Sequence, residues 1–362
     1  MSRPWDLIIV GAGPGGSAAA ISALREKPDA RVLLLDRAPL GRDKVCGDGI
    51  APHAVGELVA LGLDVVRPEE NVSTVRLYGP SGGDAGAVTT SPGYVVPRKQ
   101  FDARLLQAAI DAGASFEVRK VTSLDDLDAP VIIGADGSNS TVRRLIGQPA
   151  NHGRSLAVAI RGYAPTPAGS RELTIRWDSQ RLGGLCCAWS FPVADGTTNV
   201  GYGLSSAARD HSRAYLERRL GELLPEFDLT GVELTGHTLP LSVRRPSPAV
   251  GNVLLVGDAA SLINPFTGEG IYSAIVSGAL AGQAAFTDAP GPTYAKALAA
   301  RFGRQHGQTT ALYRIIDSPR VLDTVIRAAR ANSRMFDRLL DVGLGDAAFT
   351  LGDFARFGRY AF

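Results

Sequence analysis

At 362 residues, with 45% hydrophobic and 20% charged residues, the chain has the composition of a folded globular protein and is long enough for two lobes that enclose a sizeable ligand. A formal net charge of +2 argues against a partner recruited by field alone, such as nucleic acid. The three cysteines, Cys46, Cys186 and Cys187, have neither metal-ligand spacing nor the even count of a disulfide framework, and they fit a reducing cytoplasm.

In chain order, WDLIIV (Trp5 to Val10) reads as a buried strand, Gly11 to Gly16 with the following SAAAISAL as a tight turn opening a helix, and RVLLLD (Arg31 to Asp36) as a second buried strand. This βαβ unit is the nucleus of a parallel sheet. The chain enters it almost at once, so no secretory leader is expected. Val72 to Tyr78 and Ala87 to Val96 are β-rich around the turn signal GPSGGD, and Phe101 to Ala112 has helical spacing. VIIGADG (Val131 to Gly137) is a third buried strand, followed between Ser155 and Leu204 by short strands punctuated by Gly and Pro. A charged helix is expected near Ser206 to Leu224, and NVLLVGDAA (Asn252 to Ala260) returns to the buried-strand pattern. The apolar run Ile271 to Phe286 is too short to span a bilayer and reads as a buried helix. From Pro292 onward the pattern is helical, with apolar residues spaced between charges.

The sharpest motif is VGAGPGGSAAA, in which Gly11, Gly13 and Gly16 give GxGxxG spacing between a strand and a helix, with Pro14 and Gly15 in the first turn. The first glycine permits the turn, the second lets a pyrophosphate approach the backbone, and the third allows close packing of helix on strand. Phosphate charge then meets the helix N-terminus. Asp36, about 20 residues on, ends the second strand where a ribose hydroxyl needs an acceptor, with Arg37 beside it. A dinucleotide site follows, against the plainer reading of a structural glycine turn. Spacing alone leaves NAD and FAD both open. No second GxGxxG lies between a strand and a helix, so no separate nicotinamide domain is expected.

Two later motifs, GADGSNSTVRR (Gly134 to Arg144) and VGDAASLINPFTGEGI (Val256 to Ile271), place Asp136 and Asp258 beyond the ends of strands. Together with the glycine motif they resemble the flavoprotein hydroxylase superfamily over nearly all of the first 285 residues. A narrower resemblance to the geranylgeranyl reductase family rests on RDKVCGDGI (Arg42 to Ile50), WSFPVADGTTNVGYG (Trp189 to Gly203) and NPFTGEGI (Asn264 to Ile271). The last third of the chain looks shorter than in many reductases of the family. The resemblance implies FAD, with Asp258 on the ribityl chain, Arg98 contacting the cofactor, and Asp136 near the pyrophosphate, where NAD(P)H reaches the flavin as a transient donor. Arg42, Cys46, Gly47, Asp48, Gly257, Pro265, Thr267, Gly268, Gly270 and Ile271 complete the implied cofactor set.

The implied fold is α/β: a Rossmann-type FAD-binding lobe (1–77, 97–150 and 240–290), a mostly β substrate lobe (78–96 and 151–239) and a helical C-terminal region (291–362). The turn from Thr267 to Gly270 presents amides and a positive dipole end suited to the charge of a reduced flavin. Glu269 within it is read as a first-turn helix residue before a catalytic base. The resemblance puts the Cys46 loop beside the flavin ring, where Cys46 either donates a proton to a substrate carbon or packs as a small apolar residue. Cys186 and Cys187 are expected in the core, and His53 at the surface or in a cap. Trp189, Phe191, Tyr202 and Phe266 line a substrate pocket or simply pack in the lobe. No metal site is expected, since the five histidines show no ligand spacing.

The expected function is reduction of carbon–carbon double bonds in a hydrophobic small molecule, isoprenoid-like or aromatic, by a cytoplasmic enzyme able to touch a membrane peripherally. The alternative is an FAD-dependent monooxygenase of secondary metabolism. A flavin halogenase is disfavoured because W-x-F-P lacks part of the W-x-W-x-I-P motif. A non-catalytic prenyl-binding escort protein is disfavoured because it has no need of three intact cofactor motifs.

Overall fold

The computed structural model describes residues 4–178, 184, 186–313 and 318–360. Two sheets organise it. In the first, strands Leu7–Val10, Val32–Asp36, Val131–Gly134, Val253–Leu255 and Ser115–Val118 run parallel, and the short strand Ala249–Val250 joins one edge antiparallel. The four central strands are almost wholly apolar because helices cover both faces. Helix Pro14–Glu26 lies against helix Ile271–Ala284 so closely that a Cβ at Gly278 would stand 2.1 Å from the carbonyl oxygen of Gly15. The Gly- and Ala-rich apolar run is therefore a buried helix, as its composition predicts.

The second sheet has eight strands in the order Thr235–Pro240, Leu156–Pro165, Thr197–Ser205, Cys186–Pro192, Glu172–Trp177, Asn71–Tyr78, Asp84–Val95 and Gly49–Ile50. Helix Arg213–Leu223 covers one face through Tyr215, Leu216 and Leu220. On the other face three amphipathic helices, Pro319–Ala331, Ser333–Leu344 and Leu351–Gly358, form a C-terminal layer, with Ile326, Ala329 and Phe336 packed on Val75 and Leu77.

Two boundaries of the predicted lobes move. Strand Asn71–Tyr78, assigned by sequence to the nucleotide lobe, pairs with Asp84–Val95 and Glu172–Trp177 in the second sheet. Its hairpin register overrides its position in the chain. Helix Pro290–Leu312, assigned to the C-terminal region, belongs to the nucleotide lobe: Tyr294, Leu298 and Phe302 join its core, and the Tyr294 hydroxyl donates to the Leu255 carbonyl at 2.7 Å.

Candidate active site

A cavity of about 740 Å³ runs between the lobes. One end is lined by Pro14, Lys44, Cys46, Arg98, Asp258 and Glu269, and the other by side chains of the second sheet and the C-terminal layer.

The cofactor end starts at the first helix. Gly11 has φ +108° and Gly16 would drive a Cβ to 1.8 Å from the Gly11 carbonyl oxygen, so neither position admits a side chain. Gly13 is the N-cap of helix Pro14–Glu26 and no side chain caps it, which leaves the first-turn amides, Gly15 and Gly16 among them, available to an anion. A Cβ at Gly13 would lie 3.6 Å from one guanidinium nitrogen of Arg42 and 3.8 Å from one of Arg98. Asp36 is buried, accepts the Ala12 and Ala38 amides at 2.9 and 3.1 Å, and lies 3.4 Å from Arg42. An uncapped helix start flanked by two guanidiniums, which donate to phosphate, with carboxylates at Asp36 and Asp258, which accept from hydroxyls, is the set of groups a dinucleotide requires. FAD therefore fits the residues present.

Arg98 is buried, clamped to Asp102 at 2.6 Å, and also reaches the Cys46 thiol. Asp258 pairs with Lys44 at 2.9 Å; burial pushes its carboxyl up, but the ammonium outweighs this and holds it below the usual carboxylate range. Gly257, at φ +56°, donates its amide to Ser277 and turns the chain so that Asp258 faces the cavity. Two members of the expected cofactor set stand at the margin of the site: Arg37 follows Asp36 directly, and the backbone of Asp136 lies against the glycine turn, its nitrogen 2.8 Å from where a Cβ at Gly11 would be. Arg37 is exposed. Asp136 caps helix Thr141–Leu145, its carboxylate accepting the Ser140 hydroxyl and the Thr141 and Val142 amides, the last at 3.1 Å. An Asp at the end of a strand serves the following helix as readily as a ligand.

The Cys46-Gly47-Asp48-Gly49 loop crosses the cavity floor. Asp48 is fully buried in the left-handed region, φ +63°, and accepts the Arg98 amide, the Tyr163 hydroxyl and the Asn199 side-chain amide. Asn199 also donates to the Cys46 carbonyl at 2.8 Å and accepts the Trp189 indole N–H at 3.0 Å. These bonds hold a backbone conformation that a non-glycine residue rarely adopts. Cβ atoms at Gly47 and Gly49 would meet the Phe191 ring at 3.2 Å, so Trp189 and Phe191 buttress the loop while lining the cavity. Burial pushes the Cys46 thiol up against the opposing pull of Arg98, and the group stays protonated near neutrality.

The NPFTGEG segment is pinned from the C-terminal layer. Asn264 donates to the Val342 carbonyl at 2.9 Å and Thr267 to that of Gly343 at 2.6 Å, while Pro265 and Phe266 are buried. Gly268 makes the turn at φ +75°, and Gly270 caps the helix that begins at Ile271. Glu269 precedes that cap, so it is not a first-turn residue by position, yet its carboxylate accepts the Tyr272 amide at 2.6 Å and does the work of one.

Tyr202 is the clear correction to the pocket. It is 0% exposed, its hydroxyl donates to Asp178 at 2.8 Å and contacts Cys186, and its ring packs under helix Arg213–Leu223. Strand alternation is the reason. Cys187 pairs with Gly203 and Trp189 with Gly201 on the cavity face, which sends Cys186 and Tyr202 to the other. Gly201 makes room for the indole, since a Cβ there would lie 2.1 Å from the ring. Sequence reasoning also passed over Lys44, Tyr163, Arg161, Asn199 and His237. His237 lines the cavity beside Ser138, and burial with the Lys44 charge pushes it down to about 4. Lys44 stood inside the RDKVCGDGI match and Asn199 inside WSFPVADGTTNVGYG, so both could have been found there; Tyr163, Arg161 and His237 come from distant strands without a local motif.

Beyond this loop the lining is mostly apolar, with Leu173, Ile175, Trp177, Phe266, Val325 and Leu340 representative and Arg320 and Thr324 the polar exceptions on helix Pro319–Ala331. Phe354 both lines the cavity and is 39% exposed, so the chamber reaches the surface at helix Leu351–Gly358. Among the described residues, no helix is long and apolar enough to cross a membrane.

No family model matches the chain. The chain is 33% identical to a menaquinone reductase from Mycolicibacterium smegmatis, over 78% of this chain and 76% of that protein. The chain belongs to the geranylgeranyl reductase family. It is, accordingly, an FAD-dependent oxidoreductase. Within the family it is 28% identical to a digeranylgeranylglycerophospholipid reductase from Methanosphaerula palustris, over 79% and 77% of the two chains. The crystal structure of a geranylgeranyl bacteriochlorophyll reductase-like protein from Thermoplasma acidophilum has the same fold, with TM-score 0.78 and 23% identity over 98% of this chain and 96% of that one.

Proposed function

We propose that this chain reduces carbon–carbon double bonds in a long apolar isoprenoid. The observation that carries the reading is the continuity of the cavity: one uninterrupted space joins the dinucleotide-type set of groups to a chamber walled mostly by aliphatic and aromatic side chains. A polar or compact substrate would leave that wall unused, whereas a prenyl chain buries apolar surface along it, worth about 25 cal/mol per Å² removed from water. Relatives named for reductases of menaquinone and of a digeranylgeranyl lipid support the same class of substrate.

In this reading Gly11, Gly13, Gly15, Gly16, Asp36, Arg42 and Arg98 hold the nucleotide half of FAD, and Lys44, Asp258, Thr267, Gly268 and Gly270 hold the other half. Reduced FAD supplies hydride when bound. The chain's own groups orient the substrate along the apolar wall, exclude water from it, and keep protons on Cys46 and Glu269. NAD(P)H visits as a transient donor, since the described residues build no second nucleotide fold. The cavity wall at Phe354, with exposed Leu351 beside it in the same helix, suits peripheral contact with a lipid surface from which a prenyl substrate is drawn.

The test is product mass. Purified protein, reduced with NAD(P)H, is incubated with polyprenyl and aromatic compounds with and without air. A gain of two hydrogens is expected. A gain of one oxygen would establish a monooxygenase instead.

A further inference from the structure

Saturating an alkene needs a proton as well as a hydride, and the cavity offers few groups able to give one. Asp258 is held ionised by Lys44. Asp48 is fully enclosed and does not line the cavity, Tyr163 spends its hydroxyl on Asp48, and the Lys44 ammonium is committed to Asp258. His237, pushed down to about 4, carries no spare proton near pH 7. Two groups remain: the Cys46 thiol and the Glu269 carboxyl.

The two differ in acidity and in setting. Cys46 is raised above an ordinary value of 9.0 and sits against the Arg98 guanidinium. Glu269 lines the same cavity, and no cation pairs with it among the described residues. Its amide donates to Thr267 at 3.2 Å and its carbonyl accepts the Asn264 amide at 2.8 Å, so a pinned turn fixes the carboxyl in place. Burial pushes it up to about 8; the amides of Tyr272, Ile271 and Ser273 pull the other way and lose, and Asp258 adds to the rise. An acid matched to the working pH transfers a proton more readily than one well above it.

We propose that Glu269 donates the proton that completes double-bond reduction, an inference that rests on the reductase reading above. One alkene carbon takes the hydride that bound, reduced FAD supplies, and the other takes the proton from the Glu269 carboxyl oxygen. The C=C π bond and the O–H bond break, two C–H bonds form, and the carboxylate recovers its proton from water. A nicotinamide nucleotide restores the two electrons.

Glu269→Gln keeps the bond to the Tyr272 amide and removes the acid. Product formation is expected to fall by about 10²-fold or more, with FAD content and the rate of flavin reduction by NAD(P)H within about twofold of the parent. Glu269→Asp is expected to restore part of the loss. A second readout is independent of turnover. An acid at about 8 in the folded chain against 4.5 unfolded binds a proton that the unfolded chain releases, so stability falls as pH rises through that window and levels off above it. The charges able to distort this slope line the same cavity: Lys44, Cys46, Arg98, Arg161, His237, Asp258 and Arg320. Glu269→Gln, which leaves all of them in place, is expected to flatten the slope. Parental turnover in Glu269→Gln would overturn the assignment, as would an unchanged slope. Failure of the parent protein itself to add two hydrogens to any alkene would instead overturn the reductase reading, and the slope would still report whether Glu269 holds the proton.

Discussion

A methyl group added at Gly16 would lie 1.8 Å from a backbone oxygen, whereas one added at Gly358 meets nothing within 4 Å. Gly16 belongs to the glycine turn behind Pro14 at the cofactor end of the cavity, and Gly358 lines the other end. At the cofactor end the donors are backbone amides and a few paired charges, and helix approaches strand and helix without room for a Cβ. At the substrate end three amphipathic helices offer mostly apolar side chains to the space, with Arg320 and Thr324 among them. The first end depends on backbone placement to a fraction of an ångström, and the second on how much apolar volume is present.

The largest effect expected from breaking this contrast is at Gly16→Ala. Because the clash is with backbone, the cost is about 3 kcal/mol or more, and little folded flavoprotein should accumulate. Gly358→Ala should shift the melting midpoint by less than about 0.5 kcal/mol equivalent. Thermal unfolding and flavin content measure both; equal losses at the two sites would remove the distinction.

Lys44→Met comes next. It leaves Asp258 without its cation, at a cost of about 2–3 kcal/mol, below the figure for a wholly enclosed pair because Lys44 is 22% exposed. Since Asp258 is depressed in the folded chain, its contribution is present above its unfolded value of 3.8 and is lost as pH falls through the lower folded value. Denaturation midpoints of parent and Lys44→Met should therefore converge in acid. Divergence there would dismiss the pair.

Tyr202→Phe tests the corrected face of the second sheet. Loss of a hydrogen bond to buried Asp178 should cost about 1.5–3 kcal/mol in chemical unfolding while product formation stays near the parental rate. A change in substrate preference would return Tyr202 to the cavity. The smallest effect is sought at Val325→Trp, which fills part of the chamber: turnover of a long prenyl substrate should fall about tenfold relative to a short one, roughly 1.4 kcal/mol, with flavin reduction unaffected. Indifference to chain length would show that substrates do not occupy that end.

Much of the cofactor end was legible in the sequence because its demands are local. A strand, a glycine turn and a helix in succession can be read from Leu7 to Glu26, and Asp36 follows at the spacing a ribose acceptor needs. What fixes the Cys46 loop was not legible, because Asn199 and Tyr163 lie more than a hundred residues away and meet Asp48 only when the second sheet forms. Asp136 shows the opposite case, a recognisable motif whose carboxylate turns to its own helix.

The sequence by itself determined that this chain builds a parallel nucleotide lobe with a buried Gly- and Ala-rich helix, since backbone turns and apolar periodicity act within a few residues. Only the tertiary structure decided which face each strand of the second sheet presents, because a register fixed by pairing with Gly201 and Gly203 sends Trp189 inward and Tyr202 away. It also decided the setting of Glu269, whose carboxyl is pushed up by burial on the cavity wall and by the charge of Asp258, a residue brought beside it only by the fold of the NPFTGEG turn.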